Sequence, residues 1–173
     1  MVDDGLLVNR DQPLLQVLIV EDDLGDVALV QSAFAEHSAD SRLHHVADSR
    51  LHHVADGGEA LAFLRRQPPY ADAPRPDLIM LDLNMPRVDG RQALTAIKAD
   101  DDLKSIPTIV FTTSAAADDV AASYTAHANA YVTKPINLDD YDRVVMQIRN
   151  FYCHTAALPS RLPEAPVSAR SGA

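Results

Sequence analysis

The sequence predicts an α/β domain in which five parallel strands form one sheet and helices cover both of its faces. Two patterns carry that expectation. Short, continuous apolar runs such as LLQVLIV (14–20) and DLIML (77–81) have the composition of strands buried on both sides. Between such runs lie segments with helical apolar spacing and helix-start residues, so strand and helix alternate along the chain.

The elements follow in order. After LLQVLIV, Asp23 with an acid three residues on at Asp26 reads as a helix cap, and a helical pattern runs through Phe34. The chain then repeats itself: residues 40–47 and 48–55 are both DSRLHHVA. Asp56 with Glu59 has capping-box spacing and opens a short helix carrying Leu61 and Leu64. RRQPPYADAPRP (65–76) is proline-rich and reads as loop. DLIML ends in DLNMPRVDG, which is turn chemistry, and a helix through Leu94 and Ile97 follows. Pro107 precedes the strand TIVF; next come a helix around Val120–Tyr124, the strand AYVT, and a last helix from Asn137. Leu138, Tyr141, Val145, Ile148 and Tyr152 give that helix one apolar stripe at spacings of three and four. Residues 1–13 read as an N-terminal tail, 14–154 as one domain, and the Pro/Ala/Ser-rich 155–173 as a disordered tail.

Composition narrows the function. A net charge of −10 argues against nucleic acid or an anionic membrane as partner, because both call for basic patches. Cys153 is the only cysteine, which excludes an internal disulfide and a cysteine metal cage. Neither a signal peptide nor a helix-length apolar run is evident, so the expected location is the cytoplasm.

In an open α/β sheet the functional groups gather beyond the carboxyl ends of the strands. Those positions hold Glu21, Asp22 and Asp23 after the first strand, and Asp82 and Asn84 after the third. Thr112, Thr113 and Ser114 follow the fourth, and Lys134 and Pro135 the fifth. Acids crowded together repel one another unless a hard divalent cation sits among them, and Mg²⁺ favours carboxylates and phosphate oxygens. A carboxylate beside Mg²⁺ can attack phosphorus to give an aspartyl phosphate. The charge on the three equatorial oxygens is then shared by Mg²⁺, an ammonium and a hydroxyl, and Asp82, Lys134 and Thr112 supply the protein groups.

VLIVED, LIMLDLNMPRVDG, TIVFTTS and AYVTKP, in this order and over residues 14–153, resemble the receiver domain of two-component response regulators. RPDLIMLDLNMP, FTTS followed by DDVAASY, and NFYCHTAALP are similar to the single-domain receivers that serve phytochrome-type sensor kinases. The resemblance implies a flavodoxin-like (βα)5 fold with strand order 2-1-3-4-5. It implies that Asp82 is the phosphoacceptor, Asp22 a direct Mg²⁺ ligand, Glu21 a ligand through water, and Asn84 a ligand by its backbone carbonyl. Thr112 and Tyr131 match the switch pair, Lys134 the family's lysine, and Pro135 a proline whose preceding peptide bond is cis. The implied function is a phosphoacceptor response regulator that takes its phosphoryl group from a sensor histidine kinase and switches a protein-binding surface. It assists its own phosphoryl transfer and slow dephosphorylation without being an enzyme in the ordinary sense. The alternative is a receiver-like scaffold acting by constitutive contacts, which the intact Asp22, Asp82, Thr112 and Lys134 disfavour. A dehalogenase-type phosphatase needs a second acid two residues after its nucleophile, where this chain has Asn84.

His44, His45, His52 and His53 imitate a metal cluster only because the segment is duplicated, and adjacent histidines on a strand point to opposite faces. Two eight-residue copies are too short for a solenoid. One copy forms the second strand, and the second is favoured because Asp56 and Glu59 tie it directly to the next helix. The extra copy is then expected as loop, helix extension or added edge strand; the last would invite pairing into a homodimer.

Overall fold

The computed structural model describes residues 14–36 and 49–159. Five strands, β1 (Leu15–Val20), β2 (Ser49–Val54), β3 (Leu78–Leu81), β4 (Thr108–Thr112) and β5 (Ala130–Thr133), form one parallel sheet in the order β2-β1-β3-β4-β5. The helices are α1 (Leu24–Glu36), α2 (Gly57–Leu64), α3 (Gly90–Ala99), α4 (Ala117–Thr125) and α5 (Leu138–Asn150). This is the flavodoxin-like arrangement.

Period-two alternation along the central strands divides the core. Leu15, Val17 and Ile19 of β1, Leu78 and Met80 of β3, and Ile109 and Phe111 of β4 pack on one face against Val27, Val30 and Phe34 of α1 and Tyr141, Val145 and Ile148 of α5. Leu18 and Val20, Ile79 and Leu81, and Val110 pack on the other against Ala60 and Phe63 of α2 and Ala93, Leu94 and Ile97 of α3. Every residue of β3 and of β4 is buried, as in strands covered on both faces, including the threonines at the two ends of β4.

The second copy of the repeat is β2, pairing with β1 from Leu15↔Ser49 to Val20↔Val54. The first copy, and the N-terminal tail, lie outside the described residues. Asp56 caps α2 by accepting the Glu59 N–H at 2.9 Å, while the Glu59 carboxylate takes the Ala55 N–H at 2.9 Å. The return bond thus reaches one residue further back than a simple capping box. Asp23 caps α1, accepting the N–H groups of Gly25 at 2.7 Å and Asp26 at 3.1 Å.

Three expectations are corrected. Leu138 is 65% exposed, because it is the first residue of α5, before the helix turns its stripe onto the sheet at Tyr141. The boundary placed after 154 falls early: α5 runs into a π-helical turn (Phe151–Thr155), and Leu158 is 3% exposed within the α1/α5 face of the core. An apolar side chain three residues beyond the helical turn can still fold back onto the core, whatever the composition around it. The Lys134–Pro135 peptide is trans, ordinarily the favoured isomer by about 0.5–1 kcal/mol; among the described residues the cis bond is Pro68–Pro69.

Candidate functional site

Because all five strands run in parallel, their carboxyl ends form one rim. There the carboxylates of Glu21, Asp22 and Asp82 lie within 4.8 Å of one another. Glu21 and Asp82 are buried and Asp22 is exposed, so the cluster opens to solvent on one side. Lys134, at the end of β5 and 6% exposed, reaches across the sheet into it. Its Nζ donates to Glu21 Oε2 at 2.5 Å and Asp26 Oδ2 at 2.7 Å, and lies 3.6 Å from Asp82 Oδ2.

The electrostatics follow from burial and crowding. Burial pushes the Glu21 carboxyl above its ordinary value, against the pull of Lys134 and the Asp23 N–H, and the nearby Asp82 charge pushes the same way. Burial pulls the Lys134 ammonium down, but its hydrogen bonds to Asp26 and Glu21 outweigh this and hold its pKa above the usual value. Lys134 therefore stays charged, with three carboxylates, those of Glu21, Asp26 and Asp82, gathered around its one ammonium. Two buried carboxylates and one exposed one, all hard oxygen donors, fit a small divalent cation that keeps part of its water shell.

The loop carrying Asp82 is tightly constrained. A Cβ on Gly90 would stand 1.9 Å from the Asp82 carbonyl oxygen and 2.7 Å from Leu83 Cα, so glycine is required there by close approach. The Gly57 N–H donates to Val88 O at 3.0 Å, and Arg87, in the left-handed region at φ 63°, pairs with Asp56. Burial raises the Asp56 carboxyl, but the Glu59 N–H and Arg87 overcome this and hold it below its ordinary value. The loop after β3 is thereby tied to the start of α2.

Other expected residues take less direct positions. The Asn84 N–H approaches Asp82 Oδ1 at 3.4 Å. Thr112 is 0% exposed at the end of β4, its hydroxyl accepting the Ser114 N–H at 3.5 Å. Tyr131 is half-buried against the α2/α3 face of the core, and its hydroxyl donates to the Ser114 carbonyl at 2.9 Å. Ser114 joins the loop after β4 to α4: its hydroxyl donates to Asp119 Oδ2 at 2.6 Å, and Asp119 also receives Arg91 at 2.7 Å. Sequence reasoning missed Asp26 as a partner of Lys134. Its signal was its place, since Asp26 stands in the first turn of the helix that starts directly after the acids at the end of β1. Among the described residues His52 and His53 join no metal-ligating group.

The family model of the response regulator receiver domain matches residues 17–145. This chain belongs to that family. It is 42% identical over 152 residues to the response regulator Rcp1 of a Synechocystis species, covering 88% of this chain and 98% of the relative. Among solved structures, the phosphorylated cyanobacterial phytochrome response regulator RcpA is 42% identical with a TM-score of 0.77, covering 85% of this chain and 99% of that one. The Mn²⁺-bound form of Rcp1 is 43% identical with a TM-score of 0.74, covering 84% and 99%. Receiver domains are components of phosphorylation-based signalling, bind a divalent metal and interact with sensor histidine kinases. Among the described residues no helix is long and apolar enough to cross a membrane.

Proposed function

We propose that Asp82 accepts a phosphoryl group from a sensor histidine kinase in a Mg²⁺-dependent reaction, and that the modified domain switches a protein-binding surface. The observation that carries this reading is the meeting of Glu21, Asp22 and Asp82 within 4.8 Å, with the Lys134 ammonium 3.6 Å from Asp82. Asp22, Asp82 and the Asn84 carbonyl would hold the cation directly, and Glu21 through a water. When bound, Mg²⁺ supplies positive charge for the phosphoryl oxygens.

Asp82 attacks phosphorus; the P–N bond to the kinase histidine breaks as the P–O bond forms, and the released imidazole takes up a proton. Lys134 neutralises charge that develops on the transferred group, and the Thr112 hydroxyl supplies a further donor. Ser114 then links chemistry to output. Its N–H is on Thr112 and its carbonyl on Tyr131, so a Thr112 drawn toward a phosphoryl group pulls the loop after β4 and the Tyr131 anchor with it. The affected surface is that of α4, β5 and α5, and the change is a shift between two populated arrangements. RcpA is described as a phytochrome response regulator, which supports a phytochrome-type kinase as the partner.

The test is labelling by acetyl phosphate. Wild type should be labelled with Mg²⁺ and not after chelation, and Asp82→Asn should abolish labelling. Labelling of Asp82→Asn at the wild-type level would overturn the site, and an unlabelled wild type would leave the constitutive scaffold.

A further inference from the structure

We infer that His53 is a positioning residue for the cation-binding acids, acting through the backbone carbonyl of Glu21. The inference rests on the reading of Glu21, Asp22 and Asp82 as the cation site. His53 Nε2 lies 2.7 Å from that carbonyl oxygen. A carbonyl can only accept, so Nε2 carries the hydrogen and donates.

The contact stands where the sheet runs out. Val20 pairs with Val54, and the Glu21 N–H continues the ladder to Val54 O at 3.1 Å. In a parallel ladder the next rung would bring the Asp56 N–H to the Glu21 carbonyl. At Asp56 the chain becomes the cap of α2, and the imidazole of His53 takes the place of that rung. Both backbone polar groups of Glu21 are thereby pinned, the N–H by β2 backbone and the carbonyl by a β2 side chain. The carbonyl belongs to the peptide joining Glu21 to Asp22, so its plane sets the direction in which Asp22 leaves the strand. Glu21 has a second hold through Lys134 and the Asp23 N–H, whereas Asp22 is exposed and depends on that peptide for its aim.

The neighbouring histidine makes the contrast. His52 Nε2 bonds Gln16 Oε1 at 2.8 Å, and its ring stacks obliquely on Phe63 with centroids 5.5 Å apart. One histidine of the doublet thus knits β2 to β1, and the other serves the acidic rim.

Outer partners of metal ligands change affinity by about 10–100-fold when removed. The experiment is calorimetric titration of Mg²⁺ into metal-stripped full-length wild type, His53→Leu, His53→Gln and Asp22→Asn, each with a urea denaturation curve. A glutamine amide nitrogen reaches nearly the same place as Nε2 and can donate. The expected result is about tenfold or greater weakening in His53→Leu, substantial recovery in His53→Gln, and ¹⁵N imidazole shifts showing a protonated His53 Nε2 in the metal-free protein. Wild-type Mg²⁺ affinity in His53→Leu, a His53→Gln as weak as the leucine variant, or a proton on Nδ1 alone would overturn it. A wild type that ignores Mg²⁺ would overturn the cation site itself, and this role with it. A wild type that binds alongside a His53→Leu that binds equally well overturns only the role of His53.

Discussion

The acidic rim and the α4–β5 face share the same sheet but are held by different forces. At the rim, Glu21, Asp82, Thr112 and Lys134 are all buried, and Gly90 packs against the Asp82 backbone with no room for a methyl group. On the α4–β5 face, every residue of β5 is at least partly exposed and Ser123 is the one buried residue of α4. That face is secured by polar contacts instead: Tyr131 on Ser114, Ser114 on Asp119, and the Tyr131 N–H on the Tyr124 hydroxyl at 3.2 Å. Close-packed groups shift only at high cost, whereas a few half-exposed hydrogen bonds can be exchanged cheaply. The molecule thus separates a rigid acidic rim, where phosphoryl transfer is proposed, from a yielding face, where output is proposed, with Thr112 and Ser114 at the seam.

That contrast can be broken first at its stiffest point. Gly90→Ala places a Cβ against the Asp82 carbonyl and Leu83 Cα, both backbone atoms that cannot swing aside. We expect a loss of more than about 4 kcal/mol in urea denaturation, beyond ordinary overpacking costs. A near-wild-type midpoint would show that the loop after β3 yields as easily as α4 does.

The next largest effect belongs to the ion pair. Lys134→Met removes the counter-charge of Glu21, with both side chains almost fully enclosed. Breaking one side of a buried pair costs about 3–5 kcal/mol, and we expect a loss near the lower end because Asp22 opens the cluster to solvent. Added Mg²⁺ should restore part of the lost stability. Equal destabilisation with and without Mg²⁺ would separate Lys134 from the acids as a metal site.

The smallest effect lies on the yielding face. Tyr131→Phe keeps the ring and deletes only the bond to the Ser114 carbonyl. It should cost about 1 kcal/mol and speed amide exchange in α4 while leaving β3 protected. A larger loss, spread over the sheet, would mean that the α4–β5 face is as much part of the core as the rim.

Much of this was legible in the residues. The buried runs VLIV, LIML and TIVF announce two-faced strands, because only a strand covered on both sides lacks polar alternation. Asp23, Asp56 and Asn137 announce helix starts, because their short oxygens satisfy nearby N–H groups without help from elsewhere. Residues with local causes were read correctly for that reason. The acids and Lys134 could also be placed on one rim, since parallel strands deliver their ends to the same side.

Contacts between elements were not legible. Asp26 looked like an acid favouring a helix start, and only the reach of Lys134 across the sheet from the end of β5, 108 residues away, makes it an ion-pair partner. His53 looked like half of a duplicated doublet, and only the end of the β1–β2 ladder leaves it a carbonyl to hold. Leu138 fits the helical stripe by spacing yet faces solvent, while Leu158 sits in a proline-rich segment yet fills the core. Sequence alone determined which segments are strands and helices and which acids could meet, because those follow from local backbone chemistry and the parallel sheet. The tertiary structure alone decided what each side chain touches at the rim and which apolar residues are covered, because both depend on where the chain returns in space.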